Sequence, residues 1–239
     1  MSRTLEIVLF DLDDTLHDDT AVFRDAAEEV AREVAAEHGI DALELKDAYI
    51  AQAEGFWHRL SSEQLKVRLM NVREELWTAA LRGVGLSDPD VAHRSAARYN
   101  DYRRKRFAPF PGAIEALRAL RERGLKIGIL TNGFSETHRE KIELLQLGDY
   151  VDAIFIADEV GMLKPDPRLF AHACTEMGSS PAHAAMVGDR YDRDIRGALD
   201  AGLFAVWLNV RDEALPDGAR LPDVMCHSIV EVPTALECA

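Results

Sequence analysis

Four segments of this chain end an apolar run on a group that can do chemistry. Ile7-Val8-Leu9-Phe10 runs into Asp11-Leu12-Asp13, and Leu125 to Leu130 runs into Thr131-Asn132-Gly133. Ala153 to Ala157 runs into a loop carrying Lys164-Pro165, and Ala184 to Val187 into Gly188-Asp189 and then Asp194. Short, nearly continuous apolar runs read as strands buried on both faces. In an open parallel sheet the C-terminal ends of such strands share one edge, where ligands bind. Asp11, Asp13, Thr131, Lys164, Asp189 and Asp194 are therefore expected to line one pocket. Two carboxylates ~5 Å apart repel by roughly 3 kcal/mol at an effective dielectric near 20, so something cationic must sit among the four acids.

The elements that position these groups follow from periodicity. After the first strand, residues 20–107 carry an almost continuous helical pattern, with Val22, Ala26, Val30 and Val34 on one stripe and Leu65, Leu69, Val72, Leu76 and Ala80 on another. Breaks at Gly39, Ser61-Ser62, Gly83-Val84-Gly85 and Asp88-Pro89 divide this insert into about four helices, enough to close a small bundle. From Pro111 the pattern alternates: helix 112–123, strand 125–131, helix 136–146, strand 153–157, helix 167–177, strand 184–188, helix 192–201 and strand 203–208. A short strand and a helix over 228–236 complete the chain. Such alternation predicts an α/β fold, a Rossmann-like parallel sheet core with an inserted α-helical domain.

Asp11-x-Asp13-x-Thr15, Thr131-Asn132, Lys164-Pro165 and Gly188-Asp189-x4-Asp194, in that order and each after a predicted strand, resemble the four signature motifs of the haloacid dehalogenase-like hydrolase superfamily. The resemblance spans the chain. It implies a catalytic core of residues 1–16 and 108–239 and a helical cap, of the four-helix-bundle type, over 17–107. Gly133 and the run His138-Arg139-Glu140-Lys141-Ile142 look most like the branch containing pyrimidine 5′-nucleotidases and N-acylneuraminate-9-phosphatases.

By this resemblance Asp11 is the nucleophile, forming a phosphoaspartyl intermediate, and Asp13 is the general acid and base. Members that cleave carbon–halogen bonds lack that second acid, so Asp13 directs the reading to phosphoryl transfer. Thr131, the Asn132 backbone N–H and Lys164 would bind the phosphoryl group, and Thr15 would fix the loop bearing Asp13. Hard oxygen ligands beside a phosphate suit Mg²⁺. The implied ligands are the Asp11 carboxylate, the Asp13 carbonyl, the Asp189 carboxylate and Asp194 through water. The function this implies is hydrolysis of a small phosphorylated metabolite, such as a nucleoside monophosphate or sugar phosphate. The alternatives are a non-hydrolytic phosphate-binding protein, a phospho-acceptor signalling domain, and a dehalogenase or phosphomutase relative. A receiver-type domain is about half this length and leaves the helical insert unexplained.

Other residues read more plainly. Asp14, Asp18 and Asp19 are expected to be solvated loop acids, and His17 an exposed loop histidine. Ser135 is expected to cap the helix that follows it, which removes the need to pair it with His138. Arg190 reads equally as a phosphate contact or a surface residue at a helix entry, and Arg103-Arg104-Lys105-Arg106 as a solvated helix end. Trp57, His58, Arg59, Lys66, Arg68 and Arg73 are candidate contacts for the leaving group, although Phe56 and Trp57 suit a bundle core better. The net charge of −14 disfavours nucleic acid polymers and anionic membranes. Leu5 to Phe10 is too short for a signal or spanning segment, and Cys174, Cys226 and Cys238 have no disulfide or zinc spacing. The expectation is a soluble cytoplasmic protein, and no feature of the sequence sets its oligomeric state.

Overall fold

The computed structural model describes residues 4–61, 63, 65 and 69–237. Lys66 and Arg68, two of the basic candidates in the insert, lie outside the described residues, as does Cys238. Residues 19–107 form one compact unit, and the flanking segments, up to residue 18 and from residue 108, form the other.

The second unit is built on a six-stranded, all-parallel sheet. Its strands are β1 (Ile7–Phe10), β2 (Lys126–Thr131), β3 (Ala153–Ile156), β4 (Ala184–Gly188), β5 (Phe204–Leu208) and β6 (Val224–Cys226), in the order β3-β2-β1-β4-β5-β6. Every side chain of β1 is fully buried, as its unbroken apolar run requires of a central strand covered on both faces. The sheet order reverses at β1, because β2 and β3 lie to one side of it and β4 to β6 to the other, and such a reversal opens a crevice at the strand C-termini. Phe10 stands opposite Ile129 of β2 and Val187 of β4. The strands therefore end within two residues of one another, and the loops after β1, β2 and β4 leave the sheet side by side.

Helices α5 (Ala113–Glu122), α6 (Ser135–Leu144), α7 (Ala157–Val160), α8 (Pro167–Glu176), α9 (Arg196–Ala201) and α10 (Val232–Ala235) connect the strands. Helix α5 buries Ala113, Ala116, Leu117 and Leu120, the i, i+3, i+4, i+7 stripe of a helix lying on a sheet. Helix α8 starts where Asp166 accepts the Arg168 N–H at 3.0 Å, with Pro167 in its first turn, so the segment after Lys164 is also a helix entry.

Three connections differ from the pattern-based expectation. The helix expected over 192–201 begins as a π-helical turn, Tyr191–Ile195; periodicity does not resolve so local a change, which is common at functional sites. Strand β3 passes directly into the single turn of α7. Ser135 does not cap α6. Its own N–H and hydroxyl donate to Asp158 Oδ2 at 2.8 and 2.9 Å, so a carboxylate from α7 satisfies the helix start. The C-terminal helix is also shorter than expected, a 3-10 turn over Ile229–Glu231 followed by α10.

The first unit contains α1 (Asp19–His38), α2 (Ala42–His58), α3 (Leu69–Gly83) and α4 (Pro89–Arg104). Asp41 and Asp88 accept backbone N–H groups at the starts of α2 and α4. The bundle core is aromatic: Tyr49, Trp77 and Tyr99 are almost completely buried, with the Tyr49 and Trp77 rings stacked 4.0 Å apart. Phe56 and Trp57 are only half-buried, so the true aromatic centre lies elsewhere along the same helices. Replacing Trp77 by Ala removes a fully buried indole, and the expected cost is about 3–5 kcal/mol. Urea denaturation followed by far-UV circular dichroism should show a lower first transition midpoint in this variant.

Candidate active site

The loops at the C-terminal edge of the sheet bring most of the predicted chemistry together. Asp11 follows β1 and donates its N–H to the Val187 carbonyl at 2.9 Å, which ties the first loop to the end of β4. Lys164 follows α7, and its Nζ lies 2.8 Å from Asp11 Oδ1 and 2.6 Å from Asp194 Oδ1. Asp11, Asp189 and Asp194 each bring a carboxylate oxygen within 4.8 Å of the others. Thr131, at the end of β2, is buried on the same edge.

Local backbone explains the closeness of these groups. A Cβ on Gly188 would stand 2.5 Å from Asp194 Cγ, so only glycine lets β4 pass this carboxylate. The π-turn then folds Asp194 back so that its Oδ2 accepts the Arg190 N–H at 3.0 Å. Both oxygens of Asp194 are thereby engaged, one by Lys164 and one by backbone. Arg190 itself has its side chain partly exposed, with Nε 3.3 Å from Asp192.

Two buried carboxylates, a half-buried third and one lysine leave two negative charges uncompensated. Burial pushes Asp189 well above the usual carboxylate range, reinforced by the charges of Asp194, Asp11 and Asp14. Asp194 is pushed up to about 6, chiefly by burial, against the lowering effect of Lys164. Burial would lower Lys164, but Asp11 and Asp194 together hold it above its ordinary value. Asp189 Oδ1 is buried with no hydrogen-bond donor among the described residues. An orphaned, buried, hard oxygen beside two more carboxylates fits a divalent cation of the Mg²⁺ kind.

Asn132 acts through its side chain. Its Nδ2 donates to the Lys164 carbonyl at 2.9 Å, and its Oδ1 accepts the Lys164 N–H at 2.8 Å. This two-bond latch fixes the loop that carries the lysine. The sequence suggests only a backbone role for Asn132.

Asp13 lies in a different environment. Its Oδ1 is 2.5 Å from Lys141 Nζ and 2.9 Å from His17 Nε2, and its Oδ2 is 3.5 Å from His138 Nε2. Burial alone would raise this carboxyl, but the charge of Lys141, with His138 and His17, holds it well below the usual range. His138 and Lys141 stand three residues apart on α6 and share a face. Gly133 makes room for the imidazole, since a Cβ there would come 2.0 Å from His138 Cε1.

Several expectations are corrected here. His17 is fully buried and bound to Asp13, so it is not an exposed loop histidine. Thr15 is fully buried, and its hydroxyl has no partner among the described residues. It does not fix the Asp13 loop, which is instead closed by the Leu16 N–H on the Leu12 carbonyl at 3.0 Å. Asp14 is not a freely solvated acid: it adopts a left-handed φ of 58° and pairs with Arg211 at 3.2 Å. Asp19 belongs to the helical unit, where it binds Arg103. His138 and Lys141 are visible in the sequence only as a family-like run, because nothing in their own segment shows that they reach a carboxylate more than a hundred residues earlier.

An open parallel sheet thus gathers acids around one lysine at its C-terminal edge. The family profile of the haloacid dehalogenase-like hydrolases matches residues 5–202, and the chain belongs to that family. It is 33% identical to the phosphoserine phosphatase of Thermus thermophilus, over 95% of this chain and 98% of that protein. It is 30% identical to the N-acylneuraminate-9-phosphatase of Mus musculus, over 96% and 93%. Among solved structures, the magnesium-bound HAD-hydrolase YfnB of Bacillus subtilis superposes with a TM-score of 0.76 at 23% identity, covering 98% of this chain and 99% of that one. That likeness establishes a shared fold.

The strained titration of Asp194 has a measurable consequence. With its folded value raised to about 6 over an ordinary value of about 3.9, its contribution to stability is complete below about pH 4 and lost as pH rises through about 6. Metal-free protein should therefore lose thermal stability relative to Asp194→Asn as pH rises from about 4 to about 7, and saturating Mg²⁺ should shrink that trend. Melting curves of both proteins with EDTA and with Mg²⁺ give the comparison.

Proposed function

We propose that the protein is a Mg²⁺-dependent phosphatase that hydrolyses a small phosphorylated metabolite through an aspartyl phosphate on Asp11. The observation that carries this reading is the Asp11 carboxylate, ion-paired to buried Lys164 beside two further carboxylates, with a second acid two residues along the same loop. In this reading the sheet unit, residues 1–16 with 108–239, is the catalytic core, and residues 17–107 form the cap that selects the leaving group. The names of its relatives support a soluble phosphate monoester as substrate. No described helix is long and apolar enough to cross a membrane, and the working location is the cytoplasm.

In the first half-reaction an Asp11 oxygen attacks phosphorus, the bond from phosphorus to the alkoxide oxygen breaks, and the alkoxide takes a proton from Asp13. In the second, water attacks phosphorus and gives a proton to Asp13, and the bond from phosphorus to Asp11 breaks to release phosphate. The low titration of Asp13 suits the second step at once. For the first, the dianion that enters beside Asp13 offsets the charge of Lys141 and raises the carboxyl towards the proton-holding state. Lys164 and the Thr131 hydroxyl, with the Asn132 N–H, would hold the phosphoryl oxygens. The Asp11 and Asp189 carboxylates and the Asp13 carbonyl would hold a divalent cation, which would supply the positive charge that lets a phosphate dianion enter a carboxylate-lined site. Asp194, with both oxygens already engaged, would reach that cation only through water.

The test is phosphate release from nucleoside monophosphates, sugar phosphates, phosphoserine, sialic acid 9-phosphate and p-nitrophenyl phosphate, each with Mg²⁺, with Ca²⁺ and with no metal. Mg²⁺-dependent release with one class favoured supports the reading, and no release from any ester overturns it. Asp11→Asn should lose turnover by more than about 10³-fold while its circular dichroism and melting temperature are retained. Lys141→Met removes the main cation on Asp13, so its pKa rises, and the acid limb of the pH–rate profile should move to higher pH. An unmoved limb would show that Asp13 does not govern it.

A further inference from the structure

Of the three acids clustered at the sheet edge, Asp189 is the one with no ion-pair partner among the described residues. Asp11 and Asp194 are each drawn to Lys164, at 2.8 and 2.6 Å, and Asp194 also accepts the Arg190 N–H. Asp189 Oδ1 is buried with no donor among the described residues, and the charges of Asp194 and Asp11 act against its carboxylate. Like charges within 4.8 Å of one another favour a carboxylate that swings away. An aspartate side chain has only two torsions, so whatever fixes the backbone of Asp189 largely decides where its oxygens stay.

A side chain of the neighbouring strand supplies that restraint. Trp207 of β5 stands opposite Gly188, the last residue of β4, and its indole Nε1–H donates to the Asp189 carbonyl at 2.8 Å. The link between the two strands thus runs one residue beyond the backbone pairing, through a side chain. Trp207 is 1% exposed, so the bond is shielded from competing water. The Tyr191 ring lies edge-on to the indole at 5.5 Å, and the Tyr191 hydroxyl donates to the Arg220 carbonyl at 2.6 Å. Just beyond, the Asp194 N–H donates to the Arg190 carbonyl at 2.8 Å, which closes the π-turn immediately after the residue that the indole anchors.

A large aromatic residue on an interior strand needs no explanation beyond packing, and a phenylalanine would pack there too. What packing does not require is an indole N–H directed at the backbone of the acid that lacks a partner. Groups behind a metal's ligands orient those ligands and set the affinity of the site. We propose that Trp207 is a positioning residue for the divalent cation: it holds the Asp189 backbone so that the carboxylate stays beside Asp11 and Asp194 instead of turning away from them. This rests on the metal-dependent phosphatase reading above and deepens it, because it assigns part of the cation affinity to a residue that touches neither cation nor substrate.

Calorimetric titration of chelator-treated protein with Mg²⁺ tests the assignment without catalysis. Trp207→Phe keeps an aromatic ring but loses the donor, and its Mg²⁺ dissociation constant should rise by about tenfold to a hundredfold. Tyr191→Phe removes a hydrogen bond from the same cluster without touching the Asp189 carbonyl, and its Mg²⁺ affinity should stay near wild type. Equal weakening in both variants would show general loosening and overturn the proposal, as would an unchanged affinity in Trp207→Phe or a wild-type protein that binds no Mg²⁺. Excess Mg²⁺ should restore most of the p-nitrophenyl phosphate turnover of Trp207→Phe; a loss that Mg²⁺ does not restore counts against a role through the cation. Should Trp207→Phe not fold, benzothienylalanine at position 207, which keeps the bicyclic shape and has sulfur in place of the N–H, should show the same weakening, and wild-type affinity there overturns the assignment. If wild-type protein binds Mg²⁺ and hydrolyses no ester, the phosphatase reading fails alone and the three affinities still decide on Trp207.

Discussion

The candidate site depends on one buried ammonium group between two carboxylates. At an effective dielectric of 20, Lys164 attracts Asp11 across 2.8 Å by about 6 kcal/mol, while each pair of carboxylates, within 4.8 Å of one another, repels by at least about 3 kcal/mol. Desolvation of all the charges erodes that gain, and the third acid, Asp189, has no ion-pair partner of its own among the described residues and only a share of the Lys164 charge. The cluster cannot hold itself together. It is held by the surrounding structure: the neighbouring strand ends, the Asn132 latch on the Lys164 backbone, and Gly188, which admits the Asp194 carboxylate against the strand. Such a concentration of like charge is expected where chemistry, rather than stability, sets the residue types.

Asp13 shows the opposite arrangement two residues away. Burial acts on Asp13 and Asp194 in the same direction, yet Asp13 is held low and Asp194 high. The difference lies in their partners. Lys164 is shared among several acids, whereas Lys141 and two histidines converge on Asp13. Neighbouring carboxyl groups whose surroundings drive their titrations apart are a mark of divided roles. In the proposed reaction one group of acids would hold a cation and Asp13 would handle a proton.

Much of this arrangement is legible in the order of residues along the chain. Asp11, Thr131, Lys164, Asp189 and Asp194 each follow a buried strand, and a parallel sheet must bring the ends of such strands to one edge. The four helices of the insert follow from apolar spacing and from Gly and Asp-Pro breaks. The residues that escape such reading are those whose role depends on orientation. His17, His138 and Lys141 meet at Asp13 because of the direction α6 takes after Gly133, and no local pattern encodes that. Asn132 carries a side-chain latch that its position in a strand-end motif conceals. Arg103 sits in a basic run that looks solvated, and only packing shows that it faces inward onto Tyr99 while Arg104 faces out.

The overall charge sharpens the question of what such a protein binds. At −14 the chain repels anionic metabolites at long range, but at physiological salt that repulsion fades beyond about 8 Å. Selection then falls to the charges that water does not screen. Among the described residues, several of the best-buried cations are Lys141, Lys164, Arg73 and Arg103. The two lysines each face the carboxylates of the catalytic loops, and Arg103 faces Asp19. Arg73 donates to the neutral side chain of Asn100 and feels the charge of Asp19. A surface cation could be neutralised by any passing ion at little cost. A buried one accepts only an anion whose shape lets it shed its water.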